Sequence, residues 1–455
     1  MSRGDRALFG DDAGRENFFC LEHLEGFFFV IDVLAFRVMS KTLIFVSSHR
    51  SACRVADRIS GALAASRTVH LLSFDREVVD EPVYHDPRVR HISLGHVQSG
   101  VALSRLSSLL RATWVLARAR RELRDQNAIV LVNSLELLII STLCGLTRMP
   151  TVYDVSDIHP LQLSGSIAGR FMRWIERFTL RRVRLLVVTS PWFYWEYYRC
   201  WLRSQQPALL IENKVAPAAA QPGAQPALSQ RIAWNGLLRC QASAAVLLEC
   251  LQQSSGELNL SLHGTLDRLE EWGPRLVRER GCTYTGQYKP DELGELLSRS
   301  SFVWAIDLSE GMNSRWLLPC RLYSALAAGV PLIALAGTAT GDVVARNNIG
   351  LVLPQCTSAA LLTALSACDA ATYGQWLQNV RDLRERSVRH DEWMQVFVDA
   401  GEWSTLRRLL ADPDVDLVFR TQSMYTSGTD GARPERTSAP DAAPVPLTPD
   451  EAVTV

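Results

Sequence analysis

Short apolar runs alternate with segments of helical period twice along this chain, and the two series are separated by a stretch that fits neither. In the first series, apolar runs at Thr42–Val46, Thr68–Ser73, Val89–Leu94, Ala128–Val132, Pro150–Val155 and Arg184–Thr189 read as strands. Helical spacing fills Arg50–Ala65, Leu103–Arg124, Glu136–Leu146 and Ser166–Arg182 between them. Residues 216–229 hold three prolines and no period, which predicts a linker. The alternation then restarts, with strands at Arg231–Trp234, Leu258–His263, Thr283–Tyr284, Phe302–Ile306, Pro331–Leu335 and Gly350–Val352. Helices are expected at Ser243–Gln253, Leu266–Glu279, Pro290–Ser298 and Pro319–Ala328, followed by a helical region from Ser358 to about Leu410. Strands that are apolar throughout and alternate with helices belong to a parallel sheet covered on both faces. The expected fold class is therefore α/β, with two tandem Rossmann-like, doubly wound domains facing across a cleft. Such sheets bind ligands beyond the carboxyl ends of their strands, so the cleft suits two substrates.

The divisions expected are an extension over 1–38, a first domain over 39–215, the linker 216–229, a second domain over 230–385, a helical region over 386–420 and a disordered tail over 421–455. Met39 stands just before the first strand, so 1–38 is expected to lie outside the fold. The apolar stretch Phe27–Val38 is short and broken by Asp32, with no basic leader and no small-residue cleavage site, so no signal peptide is predicted. No run of about 18 apolar residues is present, so no spanning helix is predicted.

The 455 residues carry no formal net charge, which argues against a general nucleic-acid binder. Lys41, Lys214 and Lys289 are the only lysines, so the positive charge is almost all arginine. The ten cysteines stand singly, with no C-x-x-C pair, and no H-E-x-x-H is present. Neither a metal site nor a disulfide framework is expected, and reduced thiols of a cytoplasmic protein fit this usage.

Four segments carry the chemistry. The run Asn313-Ser-Arg-Trp-Leu-Leu-Pro-Cys-Arg-Leu-Tyr-Ser-Ala-Leu-Ala-Ala-Gly-Val-Pro-Leu-Ile-Ala334 leads a polar loop into a helix, stops it at Gly329 and opens a strand after Pro331. It resembles the donor-binding helix of the glycosyltransferases of the GT-B fold, of the polysaccharide-biosynthesis type, whose usual form is P-x-K-x-x-E-x-x-A-x-G-x-P-V-I. The resemblance implies that this helix N-terminus faces a donor diphosphate. It puts Asn313, Ser314, Arg315 and Arg321 on the donor side. Ser324 stands where the family carries the glutamate that holds the ribose hydroxyls, and a hydroxyl makes fewer such bonds than a carboxylate.

Ile232-Ala-Trp-Asn-Gly-Leu-Leu-Arg239 resembles the family's strand-glycine loop. There Gly236 lets the backbone approach the phosphates, and Arg239 would offset charge on the leaving diphosphate without a metal. Thr285-Gly-Gln-Tyr-Lys-Pro-Asp-Glu-Leu293 matches the turn against which the family lays base and ribose, at Gly286 and Tyr288. Tyr288 either stacks on the base or covers the sheet edge. Thr151-Val-Tyr-Asp-Val-Ser-Asp-Ile-His-Pro160 resembles the strand-end motif Y-D-x-H-D-x-x-P. Asp157 is the candidate base toward the acceptor hydroxyl, with His159 beside it; each would otherwise cap the next helix. Ser48, His49 and Arg50 after the first strand, Glu196 in Ser190–Tyr198 and Asn213 in Ile211–Val215 complete the acceptor side.

The activity implied is hexosyl transfer from a nucleotide-diphosphate sugar to a saccharide acceptor, lipid-linked in related enzymes, during assembly of an exopolysaccharide or capsule. No cofactor is implied. An epimerase of the same fold and a donor-impaired assembly partner are the alternatives. Residues 166–184 place arginines on one stripe and Ile167, Phe171, Trp174, Ile175 and Phe178 on another. That pattern suits either a helix packed on the sheet or peripheral contact with an anionic membrane face.

Overall fold

The structure, a computed structural model, describes residues 42–48, 53–75, 86–96, 102–124, 126, 128–204, 206–216, 227–266, 268–388, 392–401 and 417–419. The expected extension over 1–38, most of the linker and the tail from 421 lie outside the described residues.

The first sheet is built from β1 (Thr42–Ser47), β2 (Thr68–Asp75), β3 (Val89–His96), β4 (Ala128–Val132), β5 (Thr151–Val155), β6 (Leu185–Val188) and β7 (Ala208–Leu210). The second contains β8 (Arg231–Leu237), β9 (Asn259–Thr265), β10 (Cys282–Gly286), β11 (Phe302–Trp304), β12 (Leu332–Leu335) and β13 (Gly350–Leu353). A last strand, β14 (Leu417–Phe419), joins the edge of the first sheet beside β7. The orders are β14-β7-β6-β5-β4-β1-β2-β3 and β10-β9-β8-β11-β12-β13, with parallel pairing in both. Every residue of β1, β4, β5 and β6 is buried, as sheets covered by helices on both faces require. The strand order reverses between β1 and β4 in one sheet and between β8 and β11 in the other. Those two switch points are where crevices form.

Several elements differ from expectation. The helix expected over Leu266–Glu279 is confined to Trp272–Arg278. A π-helical turn covers Phe193–Trp201, and a further helix, Ala339–Asn347, separates β12 from β13. The helical region expected up to about Leu410 is three helices, Ser358–Ala367, Ala370–Ser387 and Glu392–Gly401, after which 402–416 lie outside the described residues.

The third of these helices returns to the first sheet. Trp393, Val396 and Phe397 are buried with Val55, Ile59 and Ala62 of the Cys53–Ala64 helix. The two helices touch at Gly61, where a Cβ would stand 2.5 Å from Cβ of Trp393. Arg58 lies 4.4 Å over the Trp393 ring and donates to Asp154 at 2.9 Å. The chain thus crosses between domains twice, and the crossings run side by side. Val215 bridges Val388 and donates its N–H to the Ser387 carbonyl at 3.0 Å. Next to it, buried Lys214 pairs with buried Glu392 at 3.2 Å.

The Ile167–Leu180 helix presents its apolar stripe outward. Ile167, Phe171, Trp174 and Phe178 are exposed, whereas Gly169, Glu176, Thr179 and Leu180 are buried. Four of the five residues expected on the apolar stripe share this outward face, Ile175 is half-buried at its edge, and inward packing uses the opposite face.

Candidate active site

The second domain contributes a strand end, a loop and a helix start. One residue before their ends, β8 and β9 carry Gly236 and Gly264, paired in register, with φ of +98° and +129°. A Cβ on Gly264 would fall 1.9 Å from the Gly236 carbonyl oxygen, so the close approach of these strand ends requires glycine there. Arg239 follows. Its Nε lies 3.4 Å from Asp307 and its Nη1 is paired with Glu310. Burial alone would lower the Arg239 guanidinium, but Asp307, Glu310 and Asp157 outweigh it and hold the group above its ordinary value.

Pro319 stands at the N-cap of the Cys320–Ala328 helix, with no side chain capping its first turn. Arg321 is buried and donates through Nη2 to the Leu237 carbonyl at 3.4 Å. Its Nη1 is buried with no hydrogen-bond partner among the described residues. Burial pushes Arg321 down, opposed by Asp307. Burial would also raise Asp307, but Arg321, Ser309 and Arg239 outweigh it and hold that carboxyl below the usual range. A small pocket beside this pair is lined by Asp307, Ser314, Pro319 and Thr338. Ser324 is buried and inward-bonded: Oγ is 3.2 Å from the Cys320 and Arg321 carbonyls and accepts from Asn235 at 3.4 Å.

The first domain contributes the segment after β5. The Asp157 carboxylate lies 3.9 Å from Arg54, and 53% of its side chain is exposed. The surrounding protein raises its carboxyl above the usual range, Arg54 and a hydrogen bond from Asn313 oppose this, and Glu310 adds to it. Ile158, next in the chain, donates its N–H to Oδ1 of fully buried Asn313 at 3.0 Å, and Asn313 donates from Nδ2 to Glu310 at 2.6 Å. A second bond between the domains runs from Asn213 Nδ2 to the Leu318 carbonyl at 2.9 Å. Trp201 meets Trp316 edge to face, with ring centres 5.8 Å apart. Asn313 and Glu310 thus link the segment carrying Asp157 to Arg239.

Residues 249–398 match the model of the family described as glucosyltransferase 3-like, C-terminal domain. The succinoglycan biosynthesis protein ExoL of Rhizobium meliloti (strain 1021) is 32% identical over 369 residues, spanning 77% of this chain and 88% of that protein. The chain belongs to the ExoL family. It is a glycosyltransferase of the GT-B fold. Solved structures agree in fold. Sucrose-phosphate synthase from Thermosynechococcus elongatus is similar at a TM-score of 0.60 and 16% identity, over 82% of this chain and all but 1% of that one, being covered to 99%. Alr3699/HepE of Anabaena, solved in complex with UDP, is similar at a TM-score of 0.58 and 13% identity, over 81% of this chain and 100% of that one.

Other expected residues of this ExoL-family chain take distinct places. His159 caps the short Pro160–Leu163 helix: Nδ1 accepts from the Leu161 N–H at 3.1 Å, and its own N–H donates to Gln162 at 3.0 Å. Ser48 donates its N–H to Asn133 at 3.0 Å, at the β1/β4 switch point, while His49 and Arg50 lie outside the described residues. Glu196 is half-buried on the Phe193–Trp201 turn. Gly286 has φ of +76°, and Tyr288 is half-buried against the main core. Ser314 is buried and accepts from the Glu310 N–H at 3.0 Å, whereas Arg315 points to solvent.

Sequence reading missed Arg54, Asp307 and Glu176. Asp307 could have been found, because it is the first charge beyond the apolar Phe302–Ile306 run, at a strand's carboxyl end. Arg54 and Glu176 carry no such signal, being single charges within helical segments.

Proposed function

We propose that this glycosyltransferase binds a nucleoside diphosphate sugar in the second domain and transfers the sugar to a saccharide acceptor held by the first. Asp157 is the group that orients or deprotonates the acceptor hydroxyl. The observation that carries the reading is a chain of contacts between the domains: Ile158, next to Asp157, donates to Asn313, Asn313 donates to Glu310, and Glu310 pairs with Arg239. A leaving diphosphate develops negative charge. Arg239, the unfilled Nη1 of Arg321 and the open start of the Cys320–Ala328 helix supply fixed positive character there without a metal. The chemistry needed is displacement at the anomeric carbon: the acceptor oxygen forms a bond, the bond to the diphosphate oxygen breaks, and the acceptor proton passes to a base.

Relatives point to the setting. The ExoL relative is named for succinoglycan biosynthesis. Among the described residues no helix is long and apolar enough to cross a membrane. The outward stripe Ile167, Phe171, Trp174 and Phe178 is joined on neighbouring helices by exposed Leu110, Trp114 and Leu143. Exposed Arg170, Arg177, Arg181, Arg182 and Arg184 flank the stripe. Apolar side chains edged by arginines suit an anionic leaflet. We therefore read the enzyme as peripheral on the cytoplasmic membrane face, acting on a lipid-linked saccharide. Incubation with a panel of nucleotide sugars and detergent-solubilised polyprenyl-linked saccharides, following nucleoside diphosphate release, tests this. Saccharide-dependent release is expected. Release that never depends on the saccharide would overturn it.

A further inference from the structure

Glu176 has no exposed surface and faces inward from the middle of the Ile167–Leu180 helix. Its carboxylate accepts from Gln162 Nε2 at 2.9 Å, from the Tyr197 hydroxyl and from the Tyr198 hydroxyl at 3.3 Å. The other end of the Gln162 amide, Oε1, accepts the His159 N–H at 3.0 Å. Arg173 Nη1 binds the Gln162 and Ser164 carbonyls at 2.6 and 2.7 Å. One residue before His159, Ile158 is tied to Asn313 of the second domain. A buried carboxylate is expensive to desolvate, and an apolar side chain of similar size would generally serve packing as well. What a carboxylate adds is direction. It accepts only, so Gln162 must turn its NH2 toward it and its oxygen toward His159.

We propose that Glu176 is a positioning residue for sugar transfer: through the orientation of the Gln162 amide it holds the segment carrying Asp157 against the second domain. This rests on the reading of Asp157 given above. Burial raises the Glu176 carboxyl to about 7, while Tyr197, Gln162, Tyr198 and Arg173 pull it back. The groups facing it are Tyr197 and Tyr198 from the Phe193–Trp201 turn, Tyr153 from β5, Gln162 from the short helix and Arg173 on its own helix. When the carboxyl gains a proton it becomes a donor as well. It can then bond the Gln162 oxygen, which releases His159. Ordering of the segment is therefore present above about pH 7 and fades below.

The first arm of the test needs neither a sugar donor nor a saccharide. Amide exchange of the peptide covering 156–163 in the whole chain, corrected for intrinsic pH dependence, should show a step centred near pH 7. At pH 8, E176Q should raise exchange there at least tenfold, leave β5 and the Cys320–Ala328 helix protected, and leave UDP affinity within twofold. E176Q/Q162E, which reverses donor and acceptor, should restore protection. In the second arm, with the donor and saccharide found by the release assay, kcat/KM for the saccharide should fall at least tenfold in E176Q and recover in the double variant. Unchanged exchange in E176Q, or exchange rising everywhere together with a lowered Tm, would overturn the proposal. Should E176Q fail to fold, Q162A, which leaves Glu176 with its tyrosines, decides on the same criteria. A wild-type chain without transfer would sink the reading of Asp157 and leave the exchange arm intact.

Discussion

Ile158 and Asn313 lie 155 positions apart and in different domains, yet the backbone N–H of the first is 3.0 Å from the side-chain oxygen of the second. Asn313 also bonds Glu310, and Glu310 pairs with Arg239. The peptide that follows the candidate base is therefore linked through two side chains to the candidate diphosphate-binding arginine. A donor that engages Arg239 acts on a group already connected to the acceptor side.

Arg239 stands within the ionic cluster at the end of β8. Arg239→Ala should weaken nucleotide binding by about 1.5–3 kcal/mol, as for loss of a hydrogen bond to a charged group. Titration calorimetry with UDP and other nucleoside diphosphates measures this. Equal affinities in wild type and variant would remove Arg239 from the donor site.

Asp157→Asn keeps the shape and removes the charge. Sugar transfer should fall by about a hundredfold or more if this carboxylate serves as the base. Melting temperature and nucleotide affinity should stay close to wild type, because more than half of the side chain is exposed, at 53%. A folded variant that still transfers at the original rate would leave Asp157 no part in proton transfer.

Gly264→Ala should be damaging out of proportion to its size. The position has φ of +129°, and the new methyl would sit 1.9 Å from the Gly236 oxygen. The backbone conformation alone costs about 1–3 kcal/mol for a residue other than glycine. A lowered Tm together with weaker nucleotide binding is expected. A change in neither would mean that β8 and β9 can part without consequence.

How the protein answers pH follows from Glu176. Its carboxyl is raised from an ordinary value of 4.5 to about 7. Between those values the folded chain keeps a proton that the unfolded chain has lost. The contribution to stability is full below about pH 4.5 and is lost as pH rises through about 7, amounting to about 3 kcal/mol. Denaturant melts across this window should slope downward for wild type, and E176Q should flatten that slope. Stability and segment ordering then run in opposite directions with pH.

Much of the fold is legible because buried parallel strands announce themselves as apolar runs; the apolar run Ala128–Val132 and the strand β4 have the same bounds. Direction is not. The spacing of Ile167, Phe171, Trp174 and Phe178 shows that they share a face, but a face turned to solvent and one turned to a sheet have the same period. Short elements such as Ala208–Leu210 leave too little pattern, and their pairing comes from neighbours distant in sequence. At the site, glycines and arginines beside strand ends could be picked out. The partners Arg54 and Glu176 could not, because their meaning lies in what they touch.

The outward apolar stripe gives one further measurable consequence. Phe171→Asp with Trp174→Asp should reduce sedimentation with vesicles of mixed neutral and anionic lipid, without lowering Tm, since both side chains are exposed. Undiminished sedimentation would place the contact elsewhere.

The return of Trp393, Val396 and Phe397 onto Val55, Ile59 and Ala62 bears on how the chain is made. Synthesis runs from the amino end, and β1 to β7 will have left the ribosome long before the helix that closes one of the faces of their sheet. Until some 180 further residues have followed, the interval between Lys214 and its partner Glu392 being 178, part of that face and one side of the Cys53–Ala64 helix stay uncovered. The half that begins first is thus completed last, so its final folding step waits on the second half, and a protein cut at the linker would lack part of its own core.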